Sequence, residues 1–285
     1  MPELPEVETV VRSLRRSLPH AGRPAGVVRA ELRHDGMLKF GREHWPELAG
    51  CELAEIGRAG KYLWLTCRRG PRAWRLMLHL GMSGQLTLEP AEAPPAPHTH
   101  AVFHLQDGRQ LRFRDPRRFG RIGVAALGDA AAAGGPAREE ERRLGIPPGR
   151  EPLEVSEREF IAMFRGRSAP VKNALMNQRL LRGLGNIYAD ESLFRAGISP
   201  RARRLGAARL RRLRLAVRQV LREAIRAGGS SIADYVDSSG RRGWFQLRHR
   251  VYGRAGQPCP RCGAPIRRLV LAGRSAHFCP HCQKN

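Results

Sequence analysis

The sequence predicts an α+β chain with a β-sandwich domain first, a helical domain second and a metal-binding hairpin at the C-terminus. Three observations carry this. Short β-rich runs separated by turn residues fill most of the first half. Beyond Pro152, apolar residues recur at helical spacing. Four cysteines close the chain as Cys259-x2-Cys262 and Cys279-x2-Cys282.

The opening reads Met1-Pro2-Glu3-Leu4-Pro5-Glu6-Val7-Glu8-Thr9. Pro5 suits the first position of a helix. Val7, Val10, Val11 and Leu14 follow at helical spacing. Strands are expected over 27–32, 62–67 and 75–80. Residues 101–106 should pair with 110–114 across the hairpin signal Asp107-Gly108. The proline-rich stretch 89–97 should be a surface loop. From 126 to 152 alanine, glycine, proline and charge dominate, as a linker would. Ser156-Glu157-Arg158-Glu159 resembles a capping box. Helices are expected over 171–182, 186–196 and 207–227, and a Gly/Ser-rich loop over 228–243. The expected divisions are a sandwich at 1–133, a linker at 134–152, a helical domain at 153–245 and a zinc finger at 246–285.

The 285 residues carry a formal net charge of +25, which calls for an anionic partner, and nucleic acid fits best. No run is long and apolar enough to span a bilayer. The acidic, proline-interrupted N-terminus does not read as a signal peptide, so a cytoplasmic location is expected. Almost all the basic charge is arginine. The lysines are Lys39, Lys61, Lys172 and Lys284, so amine chemistry has few candidates. Cys51 and Cys67 sit in apolar, strand-like surroundings and read as buried thiols.

The two CxxC pairs match a four-thiolate zinc template. Four thiolates leave no open coordination position, so one structural Zn²⁺ is expected on Cys259, Cys262, Cys279 and Cys282. Arg267, Arg268 and Arg274 lie between the knuckles, where they suit phosphate contacts.

Removal of Met1 would leave Pro2 as a free secondary amine beside Glu3 and Glu6. A terminal amine has a reference pKa of about 8, against about 10.4 for lysine, so it is the better nucleophile at neutral pH. Its attack on an aldehyde-like carbon gives a Schiff base. Pro2 and Pro5 also serve simply as helix-start prolines, and the two readings are compatible. Gly185-Asn186 stands at a helix start, where amide donors hold phosphate as well as cap. His79-Leu80-Gly81-Met82-Ser83-Gly84 and Asp115-Pro116-Arg117-Arg118-Phe119-Gly120 are turns. Their Met and Phe suit either a core or wedges that enter a base stack.

Taken together, the opening, Gly60-Lys61-Tyr62-Leu63, these two turns, Gly185-Asn186-Ile187-Tyr188-Ala189, Val251-Tyr252-Gly253-Arg254 and the cysteine ribbon resemble the bacterial formamidopyrimidine-DNA glycosylase family (Fpg, MutM). The resemblance covers essentially the whole chain. Leu4 and Val7 favour this branch over the sister Nei branch. It implies a β-sandwich hinged to a helical domain with a helix–two-turn–helix motif and a zinc finger. It further implies a monomeric bacterial enzyme of base excision repair, acting on double-stranded DNA that contains oxidised bases. That enzyme is a bifunctional glycosylase and abasic-site lyase for oxidised purines. By resemblance Pro2 is the Schiff-base nucleophile, Glu3 the proton donor or acceptor, and Lys61 and Arg274 assist catalysis. His79, Lys172 and Asn186 contact DNA. Met82, Arg117 and Phe119 match the residues that fill the void and read the opposite base, and Arg118 is a further DNA contact. A zinc-ribbon binding module without catalysis is the rival reading. Charge and zinc suit both, whereas Pro2, Glu3 and Lys61 suit only the enzyme.

Overall fold

The computed structural model describes residues 1–19, 22, 24–127, 141–142, 145–232 and 235–285. Of the linker expected at 134–152, residues 134–140 and 143–144 lie outside them. The chain divides into two compact units, Met1–Ile146 with Gly228–Gly243, and Pro147–Ala227 with Trp244–Asn285.

The first unit opens with helix α1 (Leu4–Ser17), with Pro5 in its first turn and Val7, Val10, Val11 and Leu14 buried. The strands are β1 (Ala25–Leu32), β2 (Leu38–Phe40), β3 (Glu52–Ala59), β4 (Tyr62–Arg69) and β5 (Arg72–His79). They continue as β6 (Gln85–Pro90), β7 (Thr99–Leu105), β8 (Arg109–Arg114) and β9 (Arg121–Leu127). Their order is β2-β9-β5-β4-β3-β1-β7-β8-β6. β1 meets β3 through Ala25 and Gly26, then pairs with β7 from Val27 to Leu32. It thus passes from one half of the sheet to the other. One core takes Leu63, Leu65 and Leu76 from the first half, Phe103 and Phe113 from the second, and the apolar side of α1. A fully buried side chain of this kind contributes about 1.5–3 kcal/mol.

Two strand-interior glycines have a packing reason. A Cβ on Gly57 would lie 2.2 Å from the Trp64 ring, and one on Gly123 would lie 1.9 Å from the Phe40 ring. Each glycine makes room for an aromatic face.

The stretch Gly228–Gly243, expected as part of the helical domain, belongs to the first unit. Leu88 N–H donates to Ser238 O at 2.8 Å, and the Ser238 and Ser13 hydroxyls lie 2.6 Å apart. Tyr235 Oη donates to Glu6 O at 3.1 Å.

The second unit contains α2 (Glu157–Phe164), α3 (Val171–Met176), α4 (Asn186–Ala196) and α5 (Ala207–Arg226). Ser156 caps α2: Glu159 N–H donates to its Oγ at 3.2 Å, and Glu159 Oε2 accepts from its N–H at 3.0 Å. α3 stops six residues short of the expected 182. Asn177 turns extended at ψ 105°, and its Oδ1 accepts from Arg179 N–H at 3.0 Å. Such a local bond competes with helix propagation. α4 ends where Gly197 adopts φ 67°. The hairpin β10 (Arg267–Leu271) and β11 (Arg274–Phe278) completes the unit. No helix among the described residues is long and apolar enough to cross a membrane.

Candidate active site and nucleic-acid interface

The N-terminal head is held from below by Glu6. Pro2 is buried, Glu3 is 3 % exposed and Glu6 is 2 % exposed. Glu6 Oε2 accepts from Glu3 N–H at 2.8 Å, which fixes the backbone beside Pro2. Its Oε1 accepts from Ser230 N–H at 2.7 Å. Gly229, at φ 80°, has no room for a Cβ, which would sit 2.8 Å from Glu6 Oε1. Burial lowers the pKa of the Met1 terminal ammonium, Glu3 and Glu6 oppose, and Lys61 and Arg117 push the same way as burial. The head therefore lies within electrostatic reach of two carboxylates and two cations.

Gly60 and Lys61 form the two-residue turn between β3 and β4, closed by the Ala59–Tyr62 pair. Gly60 adopts φ 60°, as the first position of a primed hairpin turn requires. The turn leaves Lys61 only 7 % exposed. Opposite Tyr62 on β5 stands His79, with ring centroids 4.7 Å apart. Burial, then Lys61 and Arg121, push its imidazole down to about 4. The neutral ring accepts from Gly81 N–H through Nδ1 at 3.1 Å. His79 thus shapes the turn that carries Met82.

The two turns are pinned to each other by Asp115, which is fully buried. Its Oδ1 accepts from Ser83 Oγ at 2.6 Å, and its Oδ2 accepts from Gly120 N–H at 2.7 Å. At Gly81, φ 61°, a Cβ would lie 2.5 Å from Phe119 C and Gly120 N. The clamp displays Met82, 42 % exposed, and Phe119, 52 % exposed. Arg117 is exposed, with its guanidinium 4.9 Å from the Phe119 ring centroid. Arg118 occupies φ 56°, and its Nη1 lies 3.1 Å from His34 Nε2.

In the second unit, Asn186 opens α4 and donates from Nδ2 to Ser275 Oγ at 3.1 Å. Ser275 follows Arg274, which is exposed at the start of β11 beyond the turn at Ala272 and Gly273. Lys172 differs from its expected role. It is 0 % exposed, donates to Ser275 O and lies 2.6 Å from Asp190 Oδ1. Asp190 Oδ2 in turn accepts from His277 N–H at 2.9 Å. Lys172 is therefore a positioning residue for the strand that carries Arg274, not a surface contact. Glu191 accepts the N–H groups of Arg250, Val251 and Tyr252 at 2.9–3.0 Å.

Cys259, Cys262, Cys279 and Cys282 present their sulfurs within 4.8 Å of one another. The Cys259–Cys282 and Cys262–Cys279 separations are 3.9 and 3.5 Å. A tetrahedron of thiolates at the usual Zn–S length has edges of about 3.8 Å, so the four residues fit one zinc ion.

The structure brings Pro2, Glu3 and Lys61 into one head, and Met82, Arg117, Arg118 and Phe119 onto one clamp. It joins Asn186 to Arg274 through Ser275. Sequence reasoning missed the residues that hold these groups: Glu6 as a bridge, Asp115 as the pin and Asp190 as the partner of Lys172. It also passed over His98, exposed at φ 67°, whose carbonyl accepts from Asp115 N–H at 3.0 Å. A histidine beside a proline-rich loop carries no local signal; its backbone conformation does.

Three family descriptions match in order. They are the formamidopyrimidine-DNA glycosylase N-terminal domain over 1–122, its H2TH domain over 144–236, and the zinc finger found in FPG and IleRS over 256–285. A formamidopyrimidine-DNA glycosylase of Solibacter usitatus is 46 % identical over 288 residues, covering 100 % of both chains. One of Dechloromonas aromatica is 45 % identical over 99 % of this chain and 100 % of its own. Among solved structures, MutM (Fpg) of Thermus thermophilus matches at TM-score 0.81 and 40 % identity, covering 99 % of this chain and 98 % of its own. Lactococcus lactis Fpg, in complex with DNA containing an abasic site, matches at TM-score 0.86 and 33 % identity over 99 % and 100 %. On this evidence the chain belongs to the formamidopyrimidine-DNA glycosylase family of zinc-finger DNA-repair glycosylases.

Proposed function

We propose that this protein is a bifunctional DNA glycosylase and abasic-site lyase. It excises oxidised purines, 8-oxoguanine and formamidopyrimidines, from double-stranded DNA and then cuts the strand by β,δ-elimination. The observation that carries the reading is the buried head, where Glu6 fixes the backbone of Glu3 beside Pro2, with Lys61 in electrostatic reach. The chemistry follows from these groups. Once Met1 is removed, the Pro2 nitrogen attacks C1′, the damaged base departs with the electrons of its glycosidic bond, and the proton shed by the Pro2 nitrogen passes to the departing base. Glu3 protonates O4′ as the sugar ring opens, leaving an iminium between Pro2 and C1′. The iminium acidifies the C2′ proton. Loss of that proton expels the 3′ phosphate, and a second elimination expels the 5′ phosphate. Lys61 and Arg274 balance charge on the departing phosphates. Asn186 and Arg274 grip the backbone, while Met82, Arg117 and Phe119 occupy the gap left by the extruded nucleotide. The protein acts as a bacterial cytoplasmic monomer. One zinc ion, held by the four cysteines, supplies folding energy to the finger and takes no part in the reaction.

Borohydride reduction on abasic DNA tests the proposal, because an imine former becomes covalently attached. The processed protein should trap and a form retaining Met1 should not. Trapping by the blocked form would move the nucleophile to Lys61. Comparing oxidised-purine with oxidised-pyrimidine duplexes checks the substrate class, and faster cleavage of the latter would overturn it.

A further inference from the structure

α5 carries seven arginines and a single glutamate. Arg211, Arg214, Arg218 and Arg222 fall on one arc, because steps of three and four residues return to the same side of a helix. Leu213, Val217, Val220 and Leu221 take the buried side. The glutamate, Glu223, lies away from the arc and pairs with Arg195 at 2.6 Å. At one end of the arc Arg211 meets Glu157 at 2.7 Å, an exposed pair that holds little. Arg214 uses Nε on Val155 O at 3.0 Å. No hydrogen bond or ion pair among the described residues engages Arg218 or Arg222. Partial burial lowers the pKa of Arg218, and Arg214 and Arg222 press on it from either side. Like charges four residues apart work against a helix, and this row has no internal counter-charge.

We propose that this face of α5 is a second DNA-binding surface, which takes backbone phosphates of undamaged duplex apart from the lesion-processing residues. Arg214, Arg218 and Arg222 stand about 6 Å apart along the axis, so each guanidinium can take its own phosphate on one strand. The arc offers cationic forks and one exposed aliphatic side chain, Leu215. It has no aromatic group to stack on a base and no apolar patch of the kind a protein interface is built around. Contact is therefore with phosphate and independent of sequence. This surface is separate from the imine chemistry proposed above and does not depend on it.

The test is the double variant Arg218→Gln with Arg222→Gln in the full, zinc-loaded chain. Affinity for a long undamaged duplex is measured across a salt series. Two lost phosphate contacts should lower the slope of log K against log salt by about 1.8. Borohydride trapping on a short abasic duplex should be unchanged in the same preparation. Energy transfer between two differently labelled duplexes identifies the source. Bridging by the wild type that the variant loses assigns the phosphates to a second duplex. A changed slope without bridging assigns them to the flanks of the same duplex. An unchanged salt slope in a variant with wild-type urea unfolding overturns the proposal. So does a variant that loses binding of polyglutamate but not of duplex, since the face would then take acidic protein. If the slope falls but neither protein traps on abasic DNA, the lyase reading fails and this one stands.

Discussion

Replacing Lys172 by methionine strips Asp190 of an ammonium 2.6 Å away, at a place where both side chains are 0 % exposed. At an effective dielectric of about 20, their attraction is roughly 6 kcal/mol before desolvation is counted. Breaking a buried pair from one side destabilises by about 3–5 kcal/mol, since the remaining charge stays buried. Urea unfolding of Lys172→Met should show a loss of that size, with Tm lower by roughly 10 °C or more. The damage should spread to Ser275, whose carbonyl accepts from Lys172. Affinity for DNA should therefore fall although Lys172 touches no solvent. Adding Asp190→Leu removes the stranded charge and should recover much of the stability. It should not recover all of it, because His277 N–H loses its acceptor. A Lys172→Met protein that unfolds at the wild-type urea concentration would refute the reasoning. So would a double variant less stable than the single one.

Gly81→Ala should drive its Cβ into Phe119 C and Gly120 N at 2.5 Å and spread the clamp; single-turnover excision should fall more than binding to undamaged DNA, and equal losses would count against a wedge. His79 is neutral in the fold, with its pKa down at about 4 against about 6.5 unfolded, so the unfolded chain binds more protons between those values. Its contribution is complete above pH 6.5 and drains away toward pH 4, by at most roughly 3 kcal/mol; acid titration of wild type against His79→Gln should show a flatter profile in the variant. Cys282→Ser should lose zinc, as read by metal analysis, and weaken DNA binding, while near-ultraviolet signals from Trp45, Trp64 and Trp74 in the first unit persist.

Local chemistry made some elements easy to read. α4 was legible residue for residue because Gly185 and Gly197 bracket it and the left-handed Gly197 ends it. The zinc ligands were legible because a tetrahedron of thiolates leaves a fixed spacing. β3 and β9 were not, because Gly57 and Gly123 look like strand breakers until the Trp64 and Phe40 rings are seen above them. The chemical head was visible in Pro2, Glu3 and Lys61, but its support was not. Glu6 reaches a backbone amide 224 residues away, and nothing in the spacing of Glu6 or Ser230 announces that bond. Lys172 misled for a related reason. A lysine in a strongly basic chain reads as a surface group, and only its approach to Asp190 makes it an interior one.

The return of Gly228–Gly243 to the first unit bears on the order in which the protein can mature during synthesis. The ribosome delivers Pro2, Glu3 and Glu6 first, yet Ser230, Tyr235 and Ser238 arrive only after the second unit's long helix has been made. Until then the Glu6 carboxylate lacks the amide donor of Ser230, and α1 lacks the hydroxyl contact at Ser13. The head is thus completed late, near the end of translation. A fragment cut at the linker would contain Pro2, Glu3 and Lys61 and still lack the segment that braces them. Dissecting the protein into working halves would need Gly228–Gly243 restored to the first half, as a circular permutation or a supplied peptide.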